Sequence, residues 1–196
     1  MLRVNVGEYL KFGCYPQNDE NQKEPIEWLV LEIKENKALL ISCYGLDYKQ
    51  YHHENAGITW EECNIRKWLN NDFFKMAFLD KEQQRIIVSV LSNDDNPKYR
   101  TMGGIRTEDR VFCLSIQEVE QYFTRDRERK CKPTSFAHNN GVYANDRNGC
   151  CYWWLRSPGR NQNSGACVHV DGSISLRGRN VTCNGRAVRP ALWVKL

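Results

Sequence analysis

The stretch from Tyr152 to Leu192 restricts this chain more than any other. It opens on the apolar block Tyr152-Trp153-Trp154-Leu155, turns at Arg156-Ser157-Pro158-Gly159 and closes on Val188-Arg189-Pro190-Ala191-Leu192. Two stiff ends bearing aromatics and proline thus enclose a segment rich in Asn, Ser, Gly and Arg. Inside it, Ala166, Val168 and Val170 alternate with Cys167, His169 and Asp171. A strand sends successive side chains to opposite faces, so the first set is expected to face a core and the second water. Asp171-Gly172 is a hairpin turn signal, because both positions tolerate positive φ. Beyond it Ile174 and Leu176 point in, and Ser173, Ser175 and Arg177 point out. Val188, Pro190, Leu192 and Val194 share one face of a last strand. Pro190 cannot donate to a ladder and asks for a free edge or a bulge there.

The earlier chain alternates strands and short helices. Gly7–Phe12 has the pattern of a strand, and Pro16–Asn21 that of a polar turn. Ile26–Ile33 and Ala38–Cys43 form a hairpin about Glu35-Asn36. Tyr44–Ile58 is expected to be loop. Thr59 with Glu62, Asp80 with Gln83, and Ser115 with Glu118 each have capping-box spacing, which makes three helix starts the firmest local expectation. The first helix should bury Ile65, Trp68, Leu69 and Phe73 and end at Asn70-Asn71. Ile86–Leu91 and Val111–Leu114 are expected strands, joined by the long polar connection Ser92–Arg110. Thr124–Lys132 alternates charge, as a solvated stretch does. Phe136–Gly149 carries loop signals.

A length of 196 residues fits one domain spanning 1–196, with the display segment at 156–187. A net charge of +4, from 28 bases against 24 acids, does not suggest a nucleic-acid partner, for which a concentrated basic face is needed. The N-terminus has no apolar leader core, and no apolar run approaches the ~20 residues of a membrane helix. Nine cysteines with irregular spacing, and no Cys-x-x-Cys pair, point to reduced and mostly buried thiols, hence a cytoplasmic setting.

The blocks YWWLRSPG and AVRPALWV, with GEYLKFGCYPQ, EPIEWLVLE, ALLISCYGLD, TWEECNIRKWLNNDFF and DRVFCLSIQEVEQYF before them, resemble a bacterial and phage domain family of undefined function. The similarity runs over nearly the whole chain. It implies an α+β, C-type-lectin-like fold: small antiparallel sheets that pair the N- and C-terminal strands, two or three helices and a loop-rich ligand face. Relatives of that fold include the variable proteins of diversity-generating retroelements, in which adenine-directed mutation rewrites exposed C-terminal positions. The outward set here, Arg160, Asn161, Asn163, Cys167, His169, Asp171, Ser175, Arg177, Arg179 and Asn180, has the composition of such a segment. A plain polar hairpin surface accounts for it almost as well. The calcium-binding triplets and disulfides of eukaryotic C-type lectins are absent from the sequence.

Cys167, His169 and Asp171 resemble a nucleophile, base and orienter. Neighbours on one strand face stand roughly 6.5–7 Å apart, too far for the hydrogen bond a nucleophile shares with its base. The same fold occurs in formylglycine-generating and sulfoxide-synthase enzymes, so a metal-dependent oxidoreductase is the alternative. Its copper or iron ligand sets have no clear counterpart among the histidines at 52, 53, 138 and 169. Asn93–Asn96 lacks the register of a calcium loop. One of Trp153 and Trp154 should lie in the core and the other beneath the loops, where Trp154 could contact ligand. Arg156 should bond loop carbonyls. The expected function is therefore ligand binding and display, not catalysis, with no cofactor. The expected site is the outward set with Arg186 and Trp154. If the arginines at 160, 177, 179 and 186 converge, the partner, a protein or small molecule, should be acidic.

Overall fold

The fold comes from a computed structural model that describes residues 4–196. Met1 to Arg3, the start of the stretch that lacks a leader's apolar core, lie outside the described residues. The architecture is α+β and mostly strand. Strand β1 (Tyr9–Pro16) pairs with β2 (Lys23–Lys34), which turns into β3 (Lys37–Ser42). Glu35 and Asn36 make that turn with φ of 49° and 65°, the mirror-image geometry that suits a hairpin's twist. Strand β1 starts later than its pattern suggests and carries an irregularity between Lys11 and Cys14, where Gly13 takes positive φ. The expected loop Tyr44–Ile58 contains a two-residue strand, β4 (Asp47–Tyr48).

The three capping boxes met different fates. Thr59 makes no side-chain cap; a 3-10 turn at Trp60–Glu62 follows it, and α1 (Asn64–Trp68) starts on Cys63, whose sulfur accepts from Arg66 N–H. The helix does not end at Asn70-Asn71. It widens into a π turn at Leu69–Phe73 and continues as α2 (Phe74–Ala77). Asn70 accounts for this: its side chain donates to Arg66 and Val111 carbonyls and accepts from Arg110 N–H, clamping the helix to a distant segment. Ile65, Leu69 and Phe73 are buried as expected, and Trp68 only half so. Helix α3 (Asp80–Gln83) is capped from Leu79, whose N–H donates to Glu82, so Asp80 is already helical.

The apolar run at Ile86–Leu91 splits into β5 (Ile86–Ile87) and β6 (Ser89–Leu91); β6 pairs with β7 (Thr107–Asp109), inside the expected connection. Val111–Leu114 is not a strand and forms one bridge, Phe112 to Ala191. Ser115 and Glu118 do form their reciprocal box at the start of α4 (Ile116–Tyr122). The stretch read as solvated contains α5 (Asp126–Arg129), and Arg129 is buried there, donating to the carbonyls of Phe123 and Gly172. Helix α6 (Ser135–Asn139) opens the supposed loop after it.

The C-terminal segment supplies β8 (Tyr152–Pro158), β9 (Ser164–Val168), β10 (Ile174–Asn180), β11 (Arg186–Val188) and β12 (Ala191–Lys195). Two five-stranded sheets result, ordered β1-β2-β3-β12-β5 and β10-β9-β8-β11-β4. Pairing is antiparallel except between β8 and β11. The terminal strands share a sheet but are not neighbours: β12 lies between β3 and β5, and β1 is at the edge. Arg189-Pro190 separates two short strands that belong to different sheets, so proline marks a crossing point, not a bulge within one strand. A continuous core joins the sheets, with Trp28, Trp60, Trp153 and Trp154 among its enclosed side chains. All nine cysteines are free thiols, six of them buried. No helix among the described residues is long and apolar enough to cross a membrane.

Candidate functional site

The β9–β10 hairpin builds the site. Ile174 pairs with Val168 and Ser175 with Cys167, one residue off the register of a two-residue Asp171-Gly172 turn, because the loop holds three residues, 170–172, and only Gly172 takes positive φ. Gly172 closes the turn with φ of 90°, its N–H donating to the His169 carbonyl. The register then slips between Ser175 and Arg179, and this bulge swings Arg177 and Arg179 outward, where both are exposed. Gly178 within the bulge approaches the Gly165 carbonyl so closely that a Cβ would stand 2.2 Å from it.

Across this hairpin lies a cleft of about 440 Å³, lined by Arg160, Asn161, Asn163, Ser164, His169, Ser175, Arg177, Gly178, Arg179 and Asn180. Eight of the ten residues expected to face outward therefore meet in one place. The exceptions are Cys167 and Asp171. Asp171 is exposed at the hairpin tip, where its carboxylate accepts from the hydroxyl and N–H of Ser173; these bonds hold its pKa below the usual range.

Cys167 is fully buried, contrary to the alternation. Strand β9 lies between β8 and β10, and both of its faces are covered. The loop before α1 folds over the supposed outer face, placing the Tyr51 ring 5.6 Å from that of Trp154 and against Gly165. Burial raises the Cys167 pKa, with Arg186 and Arg179 pulling the other way. Trp154, also enclosed, donates its indole N–H to the Lys49 carbonyl and has no surface to offer a ligand. Trp153 is equally buried, so both indoles are core, where only one was expected.

Arg186 is a third correction. It does not line the cleft but is buried behind it, its guanidinium 5.3 Å from the Tyr152 ring and 5.1 Å from the Trp154 ring. It donates to Cys183 Sγ at 2.8 Å and to the Asn184 carbonyl, and among the described residues no carboxylate pairs with it. Its Nε is buried without a partner. His169 sits edge-on to Tyr152, ring centroids 5.4 Å apart, with Nε2 likewise buried and unpartnered. Burial lowers the His169 pKa; Arg179 and Arg186 push it down further, against the opposing pull of Asp171.

Arg156 bonds carbonyls as expected, through its terminal nitrogens, while its Nε is buried without a partner. It bonds the carbonyls of Cys113 and Ser92 and forks onto Glu118. Three contributors to the cleft were missed, Gly178 among them. Ser164 bonds Asn161 at the cleft wall, and Asn55 accepts from both Asn163 and Asn180, tying the rim to the distant loop. No local pattern announces Asn55, which lies over a hundred residues earlier in the chain. Asn96 is not an open calcium ligand: it is buried, its amide donating to the Pro158 and Leu176 carbonyls. Among the described residues, no group of three or more His, Cys, Asp or Glu is placed to hold a metal ion.

A second cleft, of about 500 Å³, lies around Lys49, Gln50, His53, Lys67, Trp68 and Asp72. It mixes both signs of charge, whereas the hairpin cleft is lined by cations and neutral polar groups only.

No curated protein matches this chain, and no solved structure does. Residues 35–196 match the family model described as a domain of unknown function, DUF6273, and the chain belongs to that family.

Proposed function

We propose that this protein is a ligand-binding display module of C-type-lectin-like fold, with the β9–β10 cleft as its recognition surface. The observation that carries this reading is the convergence of Arg160, Asn161, Asn163, His169, Ser175, Arg177, Arg179 and Asn180 on one cleft. Beneath them the backbone is held by buried Trp154, Cys167 and Arg186, so the rim side chains can change without disturbing the core. In its strongest form the reading makes this chain the variable protein of a diversity-generating retroelement. A partner of acidic character suits three arginines on an acid-free lining. The unpaired thiols favour a reducing, cytoplasmic setting.

A displayed library randomised at the eight positions tests the reading. Most members should stay folded, and selection against a test protein such as lysozyme should recover binders whose substitutions lie in the cleft. A library that largely unfolds, or yields no binders, overturns it. For the retroelement form, a template repeat near the gene should differ from codons 160–180 at adenines only.

A further inference from the structure

We propose that the cleft anchors its ligand by a phosphate monoester, seated among Arg177, Arg179 and His169. The proposal rests on the cleft being the recognition surface and adds the chemical class of what it recognises.

Charge makes the first case. Arg160, Arg177 and Arg179 line the cleft, none of the lining residues is acidic, and among the described residues none of the three is ion-paired. Buried Arg186 adds a fourth positive charge behind the wall. One carboxylate would leave most of this field uncompensated. A phosphate monoester carries about −1.5 to −2 near neutral pH and presents three acceptor oxygens, which suit the parallel N–H pairs of guanidinium forks.

An orphaned ring nitrogen makes the second case. Buried polar atoms rarely go without a partner, because leaving one alone is costly. Nε2 of His169 is in that condition, beside the Tyr152 ring. His169 itself lines the cleft. An oxyanion in the cleft favours the charged form of His169, offsetting the burial and the arginines that lower its pKa.

Size makes the third. At about 440 Å³ the cleft exceeds a lone phosphate and falls in the range of small-ligand sites. Asn161, Asn163 and Ser175 along the remaining wall offer amide and hydroxyl groups to whatever bears the phosphate, a sugar or a phosphorylated side chain.

Calorimetric titration of the full chain in phosphate-free buffer tests this with four probes: glucose 6-phosphate, glucose, a phosphoserine peptide and the same peptide with Asp. At least one phosphorylated probe should bind ten-fold or more tightly than its unphosphorylated partner; which one does identifies the source of the phosphate. Arg177→Ala and Arg179→Ala should each weaken that binding at least ten-fold. Arg179→Lys should recover only part, and Arg147→Ala, an exposed arginine outside the cleft, should change nothing. Equal binding of all four probes, no binding, or losses as large in Arg147→Ala would overturn the proposal. If the randomised library still yields binders, the display module stands and only the phosphate anchor is lost.

Discussion

Arg156 of β8 meets Glu118 of α4 fork to fork, and the same carboxylate accepts the Ser115 N–H that begins the helix. One acid therefore caps a helix and holds the strand that opens the display segment. Arg156 is almost fully enclosed and bonds two further carbonyls, so its removal leaves the half-buried Glu118 carboxylate without its ion pair and two carbonyls without a donor. Arg156→Ala should cost about 3–5 kcal/mol, measured as a lower urea midpoint. Arg156→Lys should recover little of it, because an ammonium cannot reproduce the fork. Wild-type stability in Arg156→Lys would contradict this account.

Much of this region was legible in the sequence. The existence of a hairpin about Gly172 and the outward placing of Ser175, Arg177 and Arg179 follow from local alternation and turn chemistry, which depend on near neighbours; the exact register, and the loop residues Arg160, Asn161 and Asn163 joining them, do not. Cys167 and Trp154 were misplaced because period two says which residues share a face but not whether that face is covered; Tyr51, far away in sequence, covers it. Thr59 failed as a cap for a related reason. Trp60 is drawn into the core, its indole bonding Asp109, and the helix starts four residues later at Cys63. A tertiary contact overrode a correct local signal.

Rim and floor should respond differently to substitution. Single changes of Arg160, Asn161, Arg177 or Arg179 to Ser should shift stability by less than about 0.5 kcal/mol, as at most exposed positions. Trp154→Ala should cost about 3–5 kcal/mol, because it opens a cavity in a closed core. Thermal melts of the five variants check the split; a strongly destabilised Arg177→Ser would sink the idea of a free rim.

Two glycines with similar backbones separate strain from crowding. Gly141 has φ of 110° and open space where a Cβ would go, whereas a Cβ on Gly172, at 90°, would stand 1.8 Å from the Asp126 carbonyl oxygen. Gly141→Ala should cost about 1 kcal/mol, and Gly172→Ala clearly more, since the turn and α5 must move apart. Equal urea midpoints for the two variants would refute the contact.

Alkali should weaken the fold before any tyrosine of the core ionises. Burial pushes the Cys63 thiol from 9.0 up to about 12, and burial with nearby Glu27 does the same to Cys43. The native state then keeps protons that the unfolded chain releases, so this stability is full below pH 9 and falls as pH rises toward 12. For the enclosed Cys63 the loss is about 1.4 kcal/mol per pH unit in that window. Urea midpoints at pH 8, 9 and 10 under reducing conditions should fall progressively, and Cys63→Ser should flatten the trend.

The crossing at Arg189-Pro190 gives one short segment a hold on both sheets. The final residues fill an interior slot in each sheet, β11 between β8 and β4 and β12 between β3 and β5. A chain deprived of residues 186–195 would hold two gapped sheets with exposed strand edges, a state prone to stray pairing. One ten-residue segment thus locks both sheets, and its loss should disable both halves of the protein at once.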